Sequence, residues 1–157
     1  MGCGAEPRLQ VRNCGIYGQR TDEIAARLDE CVRDADVLVV QGGINDIAQG
    51  RDLDAAAANL RAMVRRGKEL GLRVALADVL PWNNGWPDAE PKIRRLNKLI
   101  AEIAHDEDVP LLRFHETLED PDRRGRMRDE WTFEGDHPNE DGYRRLAEVV
   151  LSALQKT

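Results

Sequence analysis

The chain holds a single serine in 157 residues, Ser152, which leaves few candidates for a hydroxyl nucleophile. A net charge of −6 with a pI near 5.1 removes the basic excess that nucleic-acid partners select. No apolar run is long enough to cross a bilayer, and Met1–Pro7 has no apolar core of a signal segment. The three cysteines, Cys3, Cys14 and Cys31, are odd in number and lack metal-ligand spacing, which predicts reduced thiols and a cytoplasmic setting. Repeats, low-complexity tracts and Pro- or Ser-rich linkers are also missing, so residues 1–157 read as one domain with its own core.

What is present is organised around Val37-Leu38-Val39-Val40-Gln41-Gly42-Gly43-Ile44-Asn45-Asp46. Its unalternating aliphatic run predicts a strand buried on both faces, as in a parallel sheet. The glycine pair allows a sharp turn, and two polar residues follow it. Further strands are predicted over Leu9–Asn13, Leu72–Leu80 and Pro110–Phe114. Helices are predicted from Thr21 or Asp22 through Val32, from Asp52 or Asp54 to Gly71, and from about Ala89 to His105. A last helix is capped by Asn139, with Tyr143, Leu146, Ala147, Val150 and Leu154 inward. Glu119–Glu130 reads as a solvated polar segment. Alternating strands and helices predict an α/β domain with a parallel sheet covered on both sides. Its loops after each strand converge on one edge, where ligands bind in such folds. Those loops are Cys14–Arg20, Gly42–Asp46 and Pro81–Pro87, joined by the segment around His137.

Three short blocks on that edge carry a resemblance: Asn13-Cys14-Gly15-Ile16-Tyr17-Gly18, then Gly43-Ile44-Asn45-Asp46, then Glu134-Gly135-Asp136-His137-Pro138-Asn139. In order and spacing they resemble the second, third and fifth blocks of the SGNH (GDSL-type) hydrolases, over about Leu9 to Leu154. The resemblance implies a three-layer, flavodoxin-like α/β/α sandwich and acyl-ester cleavage without metal or cofactor. It implies His137 as the base, and Gly18 and Asn45 as oxyanion donors. The acidic partner falls at Glu134, where the family has Asp, with Asp136 as the alternative. Trp82 and Trp86 flank the third loop as candidate walls of an acyl pocket, or as a loop packed over the core.

The family's first block, a strand ending in Gly-Asp-Ser, has no counterpart before Asn13. The nucleophile is therefore unassigned, with Cys3 and Cys14 as weak thiol candidates. The resemblance thus implies an N-terminally truncated domain lacking the family's first strand. Three readings follow: a hydrolase impaired by the missing serine, an inactive pseudoenzyme that binds small esters or carboxylates, or a fragment that needs a complementing partner. An absent central strand would leave unpaired backbone beside Val37–Gln41, so a homodimer is expected.

Overall fold

The computed structural model describes residues 9–156. Three strands, β1 (Val37–Val40), β2 (Arg73–Ala77) and β3 (Leu111–Leu112), form a parallel sheet in the order β1-β2-β3. Val37 to Val40 lie opposite Arg73 to Leu76, and Leu76 and Ala77 lie opposite Leu111 and Leu112. The strand pleat sends alternate residues to opposite faces. Leu38, Val40, Val74 and Leu76 join one core with the helices α4 (Leu53–Glu69) and α5 (Glu90–Asp106). Ala75, Ala77 and Leu112 join a second core with α6 (Phe114–Leu118) and α7 (Glu140–Gln155). The result is an α/β sandwich of three layers.

The long helices follow from their sequence. Asp52 caps α4 by accepting the Asp54 amide, and Leu60, Met63 and Val64 recur on the buried stripe. Gly67 belongs to that stripe because the helix rides close on the sheet: a Cβ there would stand 2.7 Å from Val74 and 2.9 Å from Leu38. In α5 the buried set is Ile93, Leu96, Ile100 and Ile103. Asn139 caps α7, its Oδ1 accepting the Gly142 amide at 3.0 Å.

Several expectations are corrected. Leu9–Asn13 is not a strand, and Leu9 and Val11 are exposed. The helix expected over 21–32 breaks at Arg27 into α1 (Thr21–Ala26) and α2 (Leu28–Cys31). The turn after β1 is itself helical, α3 (Ile44–Ala48). The polar segment folds into an antiparallel pair, β4 (Glu119–Asp120) and β5 (Arg123–Met127), that buries Met127. Tyr143 and Ala147 point outward, because the buried stripe of α7 is Gly142, Leu146, Val149, Val150 and Ala153. Cys14 and Cys31 form a disulfide, contrary to the expected reduced thiols, which closes the loop carrying Gly18 onto α2. Among the described residues, no helix is long and apolar enough to cross a membrane.

One buried acid gives the fold a pH dependence. Asp78, just past β2, accepts the His115 amide at 2.8 Å at the start of α6. Burial pushes its carboxyl up to about 6, against the backbone bonds from His115 and Phe114 that pull it down. Its folded pKa therefore lies above the unfolded one. The folded state gains stability from the bound proton below about pH 4 and loses it as pH rises through about 6. Asp78→Asn keeps an acceptor for the His115 amide and removes the charge. At pH 7 it is expected to be more stable than the parent by about 2–3 kcal/mol, with the gain vanishing near pH 4. Denaturant midpoints at the two pH values check this.

Candidate active site

The carboxyl end of β1 leads into Gly43, whose φ of +120° starts α3. Leu96 Cδ2 would lie 2.6 Å from a Cβ at this position, so only glycine lets the turn settle on α5. The turn presents Asn45 and buries Asp46. Asp46 accepts the Thr21 amide at 2.9 Å and the Thr21 hydroxyl at 2.8 Å, while Asn59 Nδ2 donates to that hydroxyl at 3.1 Å. Asn45 Nδ2 donates to the Gln19 carbonyl at 3.0 Å. These bonds fasten the Gly43–Asp46 turn to the loop carrying Gly18, which takes φ +78°. The far side of that loop is held by the Cys14–Cys31 bridge and by Arg27, which donates to the Cys14 carbonyl at 3.0 Å and to Gln19 Oε1 at 2.6 Å. The Asn45 bond to Gln19 thus ties the turn to the residue next to Gly18.

The last block supplies an acid–imidazole pair. Glu134 Oε1 lies 2.5 Å from His137 Nδ1 and also accepts the His137 amide at 3.1 Å. One oxygen therefore holds both the ring and the backbone of the same residue, three positions on. Thr132 closes the loop: its hydroxyl donates to the His137 carbonyl at 2.7 Å and accepts the Gly135 amide at 2.9 Å. Both side chains of the pair are well exposed, His137 at 60% and Glu134 at 49%, so hydrogen bonds rather than packing fix their geometry.

Asp136, the alternative acid, is turned to other partners. Its Oδ1 accepts from Trp82 Nε1 at 2.6 Å and from Asn84 Nδ2 at 2.7 Å. Trp82 packs on the larger core with its ring N–H toward Asp136, whereas Trp86 is 44% exposed beneath the Arg126 guanidinium. Cys14 is bonded to Cys31, so it offers no thiolate while that bridge is intact. Cys3 lies outside the described residues. Ser152 is exposed on α7, roughly 20 Å along the helix from its Asn139 cap. His115 is half-buried in α6, and desolvation lowers its pKa. Asn83 and Asn84 were not singled out by sequence; the signal available was two amides beside Gly85 just past a strand's carboxyl end.

A parallel α/β sandwich with an acid–histidine pair beyond the carboxyl ends of its strands is the layout of the SGNH-type hydrolases. The sequence matches the GDSL-like lipase/acylhydrolase family over residues 3–145, and the chain belongs to that family. In fold it is similar to a GDSL-like lipase from Bacteroides thetaiotaomicron, with a TM-score of 0.81 and 24% identity over 88% of this chain and 72% of that one. It is also similar to a catalytic mutant of an acetylxylan esterase from Geobacillus stearothermophilus, with a TM-score of 0.75 and 21% identity over 90% of this chain and 70% of that one. A third similar structure is TesA, with a TM-score of 0.72 and 24% identity over 94% of this chain and 78% of that one. No curated protein sequence matches the chain.

Proposed function

We propose that the chain is an acyl-ester hydrolase domain with His137 as base, Gly18 and Asn45 as oxyanion donors and no side-chain nucleophile, so that unaided turnover is weak. The observation that carries this is the Glu134–His137 pair, with one carboxylate oxygen on both Nδ1 and the backbone amide of the histidine. Glu134 holds the Nδ1–H tautomer, which leaves the Nε2 lone pair free to act as base. Nε2 takes a proton from an attacking O–H as the oxygen adds to the ester carbonyl carbon. The carbonyl electrons move onto oxygen, where the Gly18 N–H and the Asn45 amide stabilise the charge. Collapse of that intermediate expels the alcohol, which takes the proton from Nε2. Each oxyanion donor contributes about 3–4 kcal/mol to such a step. With the one serine of the chain on α7, water is the attacking group in this reading, and neither metal nor cofactor takes part.

The test is p-nitrophenyl acetate hydrolysis by the purified chain, by His137→Ala and by Cys3→Ala. Slow turnover that is lost in His137→Ala and kept in Cys3→Ala is expected. Loss in Cys3→Ala would instead identify a thiol nucleophile.

A specific observation favours a second reading, in which a partner completes the sheet. β1 is the edge of the three-stranded sheet, and Val39 on it is 37% exposed. Such an edge pairs readily with another strand. A second copy joined β1 to β1 across a twofold axis would supply one. Light scattering across micromolar concentrations is expected to show dimers, reduced to monomers by Val39→Lys. A strictly monomeric parent would contradict the pairing.

A further inference from the structure

The loop after β2 meets the loop of the acid–histidine pair residue by residue, in opposite directions. Trp82 Nε1 donates to Asp136 Oδ1 at 2.6 Å, the Asn83 amide to the Gly135 carbonyl at 2.9 Å, and Asn84 Nδ2 to the Glu134 carbonyl at 2.7 Å. Asn84 Nδ2 also reaches Asp136 Oδ1 at 2.7 Å. This clamp is anchored from behind. The buried Asn83 amide pairs with the backbone of Met127 in β5, donating to its carbonyl at 3.0 Å and accepting its N–H at 2.6 Å.

Two glycines permit the approach. Gly135 takes φ +95°, and a Cβ on it would stand 3.1 Å from Asn83 Cβ and 3.2 Å from Asn84 Oδ1. At Gly85 a Cβ would fall 2.3 Å from the Trp82 ring. The exposed pair itself has no core packing to hold it, so these bonds have a task. They fix the Glu134 backbone and occupy the neighbouring carboxylate with two N–H donors.

We propose that Trp82, Asn83 and Asn84 are positioning residues for the Glu134–His137 pair, Asn84 foremost. By tying Glu134's main chain and drawing Asp136 away, they leave a single carboxylate facing His137 Nδ1. Their catalytic consequence rests on the hydrolase reading above, whereas the positioning itself does not.

The experiment reads the imidazole directly. In chain labelled with ¹⁵N-histidine, the His137 ring signals are identified by their loss in His137→Gln. The tautomer of the neutral ring is then taken from the two nitrogen shifts. In the parent the Nδ1–H form is expected to dominate, and Glu134→Ala is expected to abolish that preference. Asn84→Ala is expected to lose the dominance as well, at unchanged far-UV circular dichroism. Asp136→Ala, which removes the second carboxylate and leaves the Asn84 bond to the Glu134 carbonyl, should keep the parental ratio. A parental ratio in folded Asn84→Ala would overturn the proposal. Should Asn84→Ala not fold, Trp82→Phe keeps an aromatic ring without the indole N–H donor to Asp136, and a parental ratio there would overturn it equally. Because turnover is not read, a failure of ester hydrolysis and a failure of positioning are separate results.

Discussion

Gly43→Ala is expected to cost about 4 kcal/mol of folding stability, a large share of the 5–15 kcal/mol typical of a domain. Two independent penalties add at this residue. Its φ of +120° lies where a side-chain-bearing residue is strained by about 1–3 kcal/mol. The added methyl would also stand 2.6 Å from Leu96 Cδ2, and Leu96 is fully buried in α5. Overpacking of such a site costs a further 1–3 kcal/mol, approximately. The substitution acts on the site as well, because Gly43 begins the turn that presents Asn45. Gly50→Ala is the control: its φ is +64° with nothing within 4 Å of a new Cβ, so only about 1 kcal/mol of backbone strain is expected. Urea midpoints at unchanged slope for the two variants check the difference.

Breaking the Cys14–Cys31 bridge is expected to cost about 3 kcal/mol, the chain-entropy value for a closed loop of this size. The bridge spans 17 positions and closes the segment that carries Gly18, Gln19 and Thr21. Arg27 and Arg12 reinforce the same closure, Arg12 donating to the carbonyls of Cys31 at 3.0 Å and Arg33 at 2.8 Å. Those bonds are exposed or half-exposed and are worth little once the covalent link is gone. Cys14→Ser with Cys31→Ser, or a dithiol reductant on the parent, should therefore lower the melting temperature. Amide exchange should rise first in residues 12–20 and leave α4 and α5 protected. An unchanged melting temperature under reductant would contradict the closure.

The parts of the fold that were legible in the sequence are those whose signal is local. β1 announced itself by four aliphatic residues ended by a glycine pair; α4, α5 and α7 did so by period and caps. The misreadings share a cause. α3 and α6 are too short to show a period, and β5, with Arg123-Arg124-Gly125-Arg126, carries no strand-like alternation; only its pairing with β4 reveals it. An apolar stripe can be drawn on α7 through Tyr143 or through Gly142, and packing against the sheet takes the latter.

At the site, Asn45, Glu134 and His137 sit in compact motifs and could be read in line. The roles of Trp82, Asn83 and Asn84 could not, because their partners stand about fifty residues away across the sheet edge. The disulfide was hidden by the odd cysteine count, which says nothing about which two are neighbours in space.

The most direct measurement is the rate of p-nitrophenyl acetate hydrolysis by the purified chain beside His137→Ala. If the imidazole held by Glu134 is a working general base, the parent exceeds buffer and the variant falls by about 10²–10⁴-fold, toward it. Equal rates for the two proteins would mean that this histidine moves no proton in the reaction. The pair would then be a relic in a domain that binds carboxylates or partners instead.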